Sequence, residues 1–308
     1  MVDPDIIVEF LLKKDVGLAS GVPDSVLTGL SASLEASLGS KKHVIAANEG
    51  NALSIALGHY LATGNPALVY MQNSGLGNIV NPVTSLAHAD VYGVPIFLVV
   101  GWRGAPGAPD EPQHVKQGRS TTKMLDLLDI PWWEIDPETD PIVVLEAAWA
   151  EMSENSRPVA ILIRNKTLTK STKKRVCDTG DRNAILQREA AIAHILELAK
   201  PTDALVVTTG KAGRELFELR QVRHEPNQDF LTVGGMGHAS SIALGIALEQ
   251  KSRRVVCLDG DGAMLMHMGS MAVIGALQPE NFVHILLNNQ SHESVGGQST
   301  VMQGVDTK

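Results

Sequence analysis

The sequence is poor in the features that mark several classes of protein. Its 308 residues include only two cysteines, Cys177 and Cys257, too few and too far apart for a disulfide framework or a zinc cluster. It has no basic excess, and its formal charge of −8 argues against a nucleic-acid partner. The longest apolar stretch, from Val91 to Trp102, is interrupted by Gly93 and Pro95 and is too short to cross a bilayer. We therefore expect a soluble globular protein with no membrane or nucleic-acid partner.

The chain start and the chain length add two further expectations. The first residues carry neither a basic segment nor an apolar segment typical of a secretory signal, so we expect a cytoplasmic location. A chain of 308 residues exceeds one ordinary core, and two domains of about 150 residues each are the natural division. Cys257 lies in an apolar strand-like segment and is predicted to be a small core residue.

Helix-like and strand-like segments alternate in both halves of the chain, which predicts parallel sheets covered by helices on both faces. In the first half we predict helices at residues 5–14 and 49–63, and strands at 17–20, 67–71, 95–100 and 159–163. In the second half we predict helices at 185–199, 213–220 and 239–250, and strands at 204–208, 230–233, 254–258 and 283–287. The fold class is therefore α/β with two doubly wound domains, at residues 1–165 and 184–308. The polar segment 166–183 is predicted to be an exposed linker. Only five residues follow residue 303, where such a domain normally has another strand and helix, so we expect the second domain to be truncated.

Polar side chains follow the last two predicted strands at the points where those strands end. Gly260-Asp261-Gly262 follows one strand and Asn288-Asn289 follows the next. In open parallel sheets ligands bind outside the carboxyl ends of the strands, and Mg²⁺ prefers protein oxygens together with phosphate oxygens. The pattern indicates a magnesium ion that holds a diphosphate. Taken alone, Gly-Asp-Gly would favour a simple strand-to-helix turn, and Asn288-Asn289 at this distance favours the metal site.

The spacing of these two motifs resembles the signature of the thiamine diphosphate enzymes. The resemblance implies that Asp261 and Asn288 bind Mg²⁺ through their side chains, and that the backbone carbonyl of residue 290 completes the protein ligands. Gln290 stands where the family usually has glycine, and its carbonyl can serve only if the backbone angles remain accessible.

Glu49 opens the predicted helix 49–63. By itself, a glutamate in a first helical turn often only complements the helix dipole. In the thiamine enzymes a glutamate at this point of the first domain contacts the aminopyrimidine ring of the cofactor and promotes loss of a thiazolium proton. The resemblance implies that role for Glu49. Burial would raise its pKa and favour the protonated, donating form.

Two further turns are predicted to face the cofactor. Met236, between Gly235 and Gly237, matches the apolar residue that holds thiamine diphosphate in its bent form, although Met as a core filler is nearly as good an interpretation. Gly210 ends another strand at the same sheet edge and is a candidate diphosphate contact. Neither Gly235-Met236-Gly237 nor the earlier Gly75-Leu76-Gly77 is a dinucleotide fingerprint, because Ser240 and Val80 stand where the third glycine is required. This counts against an NAD oxidoreductase.

The segment from Arg103 to Lys123 is locally basic in an acidic chain, with four Lys or Arg against two acidic residues. We interpret it as a loop that binds an anionic substrate, since an Arg fork matches carboxylate or phosphonate oxygens and Lys adds a point charge. Arg103 and Lys116 are the candidate ligands, although a solvated loop is the alternative for any single Lys.

Several longer segments narrow the resemblance to the phosphonopyruvate decarboxylases over nearly the whole chain. They are Ser20 to Ser25, Tyr70 to Asn78, Trp102 to Gly104, Glu111 to Gly118 and Thr208 to Lys211. This likeness implies a lyase that uses Mg²⁺ and thiamine diphosphate to convert 3-phosphonopyruvate to phosphonoacetaldehyde and CO₂ in phosphonate biosynthesis. It also implies a homodimer or larger homo-oligomer with active sites between subunits.

The resemblance assigns residues to each role. Catalytic candidates are Glu49, Asp24 and His114; substrate-binding candidates are Arg103, Lys116 and Ser25. Cofactor-binding candidates are Glu49, Gly210, Gly235, Met236, Gly237, Gly260, Asp261, Gly262, Ala263 and Asn288; metal candidates are Asp261, Asn288 and Gln290. Asp24 as a turn or helix cap, and His114 as a loop hydrogen-bonding residue, are the structural alternatives. The functional alternatives are decarboxylation of sulfopyruvate or another 2-oxo acid, and an inactive or regulatory subunit that binds the cofactor.

Overall fold

The computed structural model describes residues 1–171 and 186–306. The chain forms two compact units, Met1–Asp178 and Thr179–Lys308. Most of the predicted linker, the predicted helix start at residue 185 and Cys177 lie outside the described residues. The described part of the predicted linker is only partly exposed: Lys166 and Lys170 are exposed, whereas Thr167 is fully buried and Leu168 forms a parallel bridge with Val2.

The first unit is a six-stranded parallel sheet with helices on both faces. Its helices are α1 (Pro4–Lys13), α2 (Thr28–Leu38), α3 (Glu49–Thr63), α4 (Leu76–Pro82), α5 (Pro112–Leu127) and α6 (Pro141–Asn155). Its strands are β1 (Ala19–Gly21), β2 (His43–Ile45), β3 (Ala67–Gln72), β4 (Ile96–Trp102), β5 (Trp132–Ile135) and β6 (Val159–Arg164). The strand order is β2-β1-β3-β4-β6-β5, and every pairing is parallel.

The central strand β4 illustrates why the strands of this sheet are continuous apolar segments in the sequence. All seven of its residues are buried. Phe97 and Val99 pack into the core on one face, and Leu98 and Val100 pack into the core on the other. A strand covered by helices on both faces has no solvent side, so its sequence does not alternate between apolar and polar residues.

The second unit is smaller and is also parallel. Its helices are α7 (Arg188–Leu198), α8 (Lys211–Val222), α9 (Ala239–Glu249), α10 (Asp261–Met266) and α11 (Gly269–Leu277). Its strands are β7 (Ala204–Val207), β8 (Phe230–Leu231), β9 (Val255–Gly260) and β10 (Phe282–Leu287), in the order β10-β9-β7-β8. Cys257 is fully buried beneath α9, as predicted for a core residue. The prediction of two parallel-sheet α/β domains is confirmed.

Local sequence signals set several element boundaries. α3 spans the predicted residues because the Asn48 side chain caps its start, accepting from the Asn51 N–H at 2.9 Å, and Gly64 ends it in a left-handed conformation with φ of 75°. The prediction that residues 103–123 form a loop is wrong from residue 112 onward, because α5 begins at Pro112 and continues to Leu127. Pro112 sits in the first turn, where its fixed φ suits a helix and its missing N–H costs nothing.

No helix within residues 1–171 and 186–306 is both long enough and apolar enough to span a bilayer.

Candidate active site

The two side chains proposed as metal ligands directly follow two adjacent strands, at the same level of the sheet. β9 and β10 pair in parallel with Leu287 opposite Gly260, so Asp261 and Asn288 are the next residues on each strand. Asp261 is buried, with 4 % of its surface exposed. The Asn288 side-chain oxygen accepts a hydrogen bond from the Gln290 N–H at 3.1 Å, which folds the chain into a turn directly after the strand. The sheet edge therefore presents a carboxylate and an amide oxygen, the ligand type that Mg²⁺ prefers.

Gln290 adopts the left-handed conformation, with φ of 55°. Glycine favours this conformation, and a residue with a side chain reaches it at a cost of about 1 kcal/mol. The sequence departs from the family pattern at this position, but the backbone keeps the conformation that glycine permits. The proposed carbonyl ligand is therefore compatible with glutamine at residue 290.

The turn before α9 packs against the start of α10. Gly235 and Gly237 have φ values of 65° and 88°. A Cβ on Gly237 would lie 2.9 Å from the Ala263 carbonyl oxygen, and a Cβ on Gly262 would lie 3.3 Å from the Met236 Cε. The structure thus brings Met236, Gly237, Gly262 and Ala263 together, and the Ala263 carbonyl leaves too little space for a side chain at residue 237.

The end of β7 lies at the same edge of the sheet. Gly210, with φ of 96°, precedes α8. The Thr208 hydroxyl is buried and has no hydrogen-bond partner among the described residues. Its methyl group lies 3.9 Å from the position of a Cβ on Gly260. A buried hydroxyl without a partner is costly, so this edge fits a bound group that brings its own polar atoms, as a diphosphate does.

In the first unit, the carboxylate of Glu49 is buried at the start of α3. Its Oε2 accepts a hydrogen bond from Asn78 Nδ2 at 2.6 Å. Burial raises the pKa of Glu49, and the Asn78 hydrogen bond opposes that rise. Gly75 leaves room for this side chain, since a Cβ there would lie 2.4 Å from Glu49 Oε1. The sequence predicted the position of Glu49 but not its contacts with Asn78 and Gly75.

Asp24 follows β1 and is almost completely buried, with 1 % of its surface exposed. Its Oδ2 accepts from the Val26 N–H at 2.9 Å, and its Oδ1 has no hydrogen-bond partner among the described residues. Burial raises the pKa of Asp24 to about 6, although the nearby Arg103 guanidinium lowers it. Asp24 therefore holds a proton far more readily than an exposed aspartate.

Arg103 follows β4 and lies beside Asp24 and Ser25. Its Nη1 donates to the Ser25 hydroxyl at 3.1 Å, and its guanidinium forms a two-point ion pair with Asp110. Asp110 also accepts from the Gly104 and Glu111 N–H groups at 2.7 and 2.8 Å. The structure therefore brings Asp24, Ser25 and Arg103 together, and Asp110 is a member of this group that the sequence did not single out.

His114 and Lys116 lie on α5. The imidazole of His114 is largely buried, and burial and the charge of Arg103 lower its pKa. A Cβ on Gly118 would collide with the Gly104 carbonyl, so α5 and the chain after β4 are in direct backbone contact. Lys116 is exposed, whereas Arg103 is partly buried beside Ser25.

Two family models match the chain. "Thiamine pyrophosphate enzyme, N-terminal TPP binding domain" matches residues 4–126, and "Thiamine pyrophosphate enzyme, C-terminal TPP binding domain" matches residues 208–308. The "Phosphonopyruvate decarboxylase" of Streptomyces viridochromogenes is 38% identical over 304 residues, which cover 94% of this chain and 74% of the relative. The chain belongs to the phosphonopyruvate decarboxylase family.

Other relatives agree with this assignment. The "Phosphonopyruvate decarboxylase" of Streptomyces hygroscopicus is 35% identical, with 94% of this chain and 74% of the relative covered. The "Sulfopyruvate decarboxylase" of Methanosarcina acetivorans is 29% identical, with 82% and 67% covered. The predicted membership of a carboxy-lyase family is confirmed, and the chain is a thiamine diphosphate-dependent decarboxylase of the phosphonopyruvate or sulfopyruvate type.

Two residues near the proposed metal ligands were missed from the sequence. A Cβ on Gly262 would lie 3.0 Å from His292 Cε1, so the His292 ring rests on the Gly-Asp-Gly turn. Burial lowers the pKa of His292, and the Asp261 carboxylate opposes that effect. The Thr300 hydroxyl donates to Asp261 Oδ2 at 2.6 Å. His292 could have been noticed in the sequence, because a histidine and two adjacent glycines follow Asn289 closely. No local pattern in the sequence indicated Thr300.

Proposed function

We propose that this chain decarboxylates 3-phosphonopyruvate to phosphonoacetaldehyde and CO₂, within phosphonate biosynthesis, with thiamine diphosphate and Mg²⁺. The observation that carries the choice of substrate is the group formed by Ser25, Arg103 and the buried Asp24. A fixed guanidinium beside a hydroxyl suits phosphonate or carboxylate oxygens. The higher identity to relatives named for phosphonopyruvate supports the same choice.

The second unit carries the proposed metal and diphosphate contacts. Asp261, Asn288 and the Gln290 carbonyl would hold Mg²⁺, while Gly210, Thr208 and the 235–237 turn would face the diphosphate. Thiamine diphosphate, when bound, supplies the electron sink that loss of CO₂ from a 2-oxo acid requires. Glu49 would contact the aminopyrimidine ring, and its raised pKa favours the protonated form that donates a hydrogen bond.

The protein's own groups handle the substrate charge and the proton. Arg103 and Ser25 would bind the phosphonate, and Asp24 or His114 would protonate the carbon that loses CO₂. Asp24 suits this role because burial leaves it protonated up to a pH of about 6. His114 offers an imidazole near Arg103, and its lowered pKa leaves a smaller fraction of the ring protonated at neutral pH.

A homodimer or larger homo-oligomer is part of the proposal. None of the nine residues of α11 is buried, although the helix is rich in Met, Val, Ile and Leu, and Val273 and Leu277 are more than half exposed. An apolar helix that the described residues of its own unit leave uncovered suggests an interface with another copy. A cytoplasmic location stays a prediction.

Comparison of three acids tests the choice of substrate. Phosphonopyruvate, sulfopyruvate and pyruvate are each supplied to the same protein with Mg²⁺ and thiamine diphosphate, and CO₂ release is measured. We expect the highest kcat/KM for phosphonopyruvate and the lowest for pyruvate, which lacks the second anion. A higher value for sulfopyruvate would reverse the assignment, and cofactor binding without CO₂ release from any of the three would indicate an inactive or regulatory subunit.

A further inference from the structure

The chain that follows Asn289 turns back to the edge of the second sheet. Ser291 and Ser299 form an antiparallel bridge, and the His292 N–H donates to the Gln298 carbonyl at 2.8 Å. The His292 carbonyl in turn accepts from the N–H groups of Val295 and Gly297. These bonds close residues 291–299 into a defined loop, and the next residue is thereby placed beside the Gly-Asp-Gly turn.

That next residue, Thr300, contacts two of the three proposed metal ligands. Its hydroxyl donates to Asp261 Oδ2 at 2.6 Å, and its N–H donates to the Gln290 carbonyl oxygen at 3.0 Å. Thr300 is buried, with 5 % of its surface exposed, and Asp261 is buried to a similar degree. A single residue therefore ties together a carboxylate from the end of β9 and a carbonyl from the turn after β10.

Each of these hydrogen bonds leaves room for a cation. A carboxylate has two oxygens with about four lone pairs, and a carbonyl oxygen has two lone pairs, so one hydrogen bond on each leaves the other acceptor sites open. A hydrogen bond to Oδ2 fixes the rotation of the Asp261 carboxylate and directs its remaining lone pairs. Hydrogen-bond partners behind metal ligands commonly orient them in this way, and their loss typically costs about 10–100-fold in metal affinity.

We infer that Thr300 is a positioning residue for the divalent cation, whose hydroxyl orients Asp261 and whose N–H orients the Gln290 carbonyl. The inference rests on the proposed function, because it adds a residue to the proposed cation site. It predicts that the affinity for the cation depends on the Thr300 hydroxyl more than on the rest of the side chain. Thr300→Val keeps the size and the backbone N–H but removes the hydroxyl, whereas Thr300→Ser keeps the hydroxyl.

Binding of Mn²⁺, used in place of Mg²⁺, provides a test that does not depend on turnover. The electron paramagnetic resonance signal of free Mn²⁺ falls as the ion binds, so a titration of the whole protein with saturating thiamine diphosphate gives the Mn²⁺ Kd. We expect Thr300→Val to raise this Kd about 10–100-fold, Thr300→Ser to stay within about 3-fold of the unmodified protein, and Asp261→Asn to lose binding.

The outcomes separate the inference from the proposed function. A Thr300→Val protein that binds Mn²⁺ as tightly as the unmodified one, while Asp261→Asn does not bind, would overturn the role of Thr300 and leave the cation site intact. Unchanged binding by Asp261→Asn would overturn the cation site itself. Circular dichroism and Tm check that each variant folds. If Thr300→Val does not fold, Thr300→Ala is titrated in its place, and a Kd equal to that of Thr300→Ser would contradict the inference.

Discussion

The side chains of Arg103 and Asp110 form a two-point ion pair in which Arg103 Nε lies 2.9 Å from Asp110 Oδ2 and Nη2 lies 2.6 Å from Oδ1. Both side chains are largely buried, at 18 % and 6 % exposed. Asp110 also accepts two backbone N–H groups, so one carboxylate fixes both the guanidinium and the chain after β4. Arg103 is held in place before any substrate arrives, which lowers the ordering cost of binding an anion.

Asp110→Asn should lower the free energy of unfolding by about 1–3 kcal/mol, because it removes charge-assisted hydrogen bonds to a partly buried arginine. The Arg103 guanidinium holds the pKa of Asp110 well below its usual range. A depressed pKa contributes stability that is present above the unfolded-state pKa of about 4 and is lost as the pH falls further. Urea unfolding from pH 7 to pH 3 should therefore show a steeper acid loss in the unmodified protein than in the variant. Asp90→Asn, at an exposed aspartate, is the control, and an equal effect of both changes would contradict the prediction.

The pH dependence of kcat/KM should report on Asp24. Its pKa is raised to about 6 by burial, so kcat/KM should fall as the pH rises through about 6 if this group donates the proton. The same shift lowers the free energy of unfolding as the pH rises from about 4 to about 6, because the carboxyl ionises in the unfolded chain while the buried group keeps its proton. Asp24→Asn should lower kcat/KM and remove the decline near pH 6. A decline that persists unchanged in this variant would exclude Asp24 as its source.

Gly75→Ala should displace the Glu49 carboxylate, since the new Cβ would lie 2.4 Å from Glu49 Oε1. A misplacement of about 1 Å in a positioned group can cost about 100-fold in kcat/KM. Gly77→Ala is a matched control two residues away, where an added Cβ meets no atom within 4 Å. We expect Gly77→Ala to stay within about 2-fold of the unmodified enzyme. Equal activity of the two variants would show that the position of Glu49 does not depend on Gly75.

Gln290→Gly should raise the free energy of unfolding by about 0.5–1 kcal/mol, because glycine adopts the φ of 55° without the strain that a side chain brings. It should leave the Mn²⁺ Kd unchanged, since a backbone carbonyl is the proposed ligand. Gln278→Gly, at a second glutamine with positive φ, should stabilise the protein similarly. A large loss of Mn²⁺ affinity in Gln290→Gly alone would mean that the side chain, and not the carbonyl, serves the cation site.

The sequence predicted those parts of the fold and the site that local patterns control. Helix α3 was predicted from residue 49 to residue 63, where one face of the segment is small and apolar, and the structure confirms both bounds. Asp261 and Asn288 were predicted together because each directly follows an apolar strand, and parallel strands end at one edge. Helix α5 was missed because its polar, basic sequence gives little apolar periodicity, and only Gly118, Thr121 and Leu125 of its residues are buried.

Contacts between residues distant in sequence could not be predicted. Asn78 meets Glu49 because a helix after β3 returns to the start of α3, and Thr300 meets Asp261 across 39 positions. Such pairings depend on the paths of the loops that follow the strands, and neither the spacing of motifs nor the composition predicts those paths. The ion pair of Arg103 with Asp110 is local, but its geometry depends on the close backbone contact of Gly104 with α5.

The most direct measurement is CO₂ and phosphonoacetaldehyde release from phosphonopyruvate, with Mg²⁺ and thiamine diphosphate, by the unmodified protein and by Glu49→Gln. We predict equimolar CO₂ and aldehyde from the unmodified protein and a loss of at least about 100-fold in kcat for Glu49→Gln, with its fold retained. Equal rates for the two proteins, or no CO₂ from the unmodified one, would contradict a thiamine-dependent decarboxylation that relies on this buried glutamate.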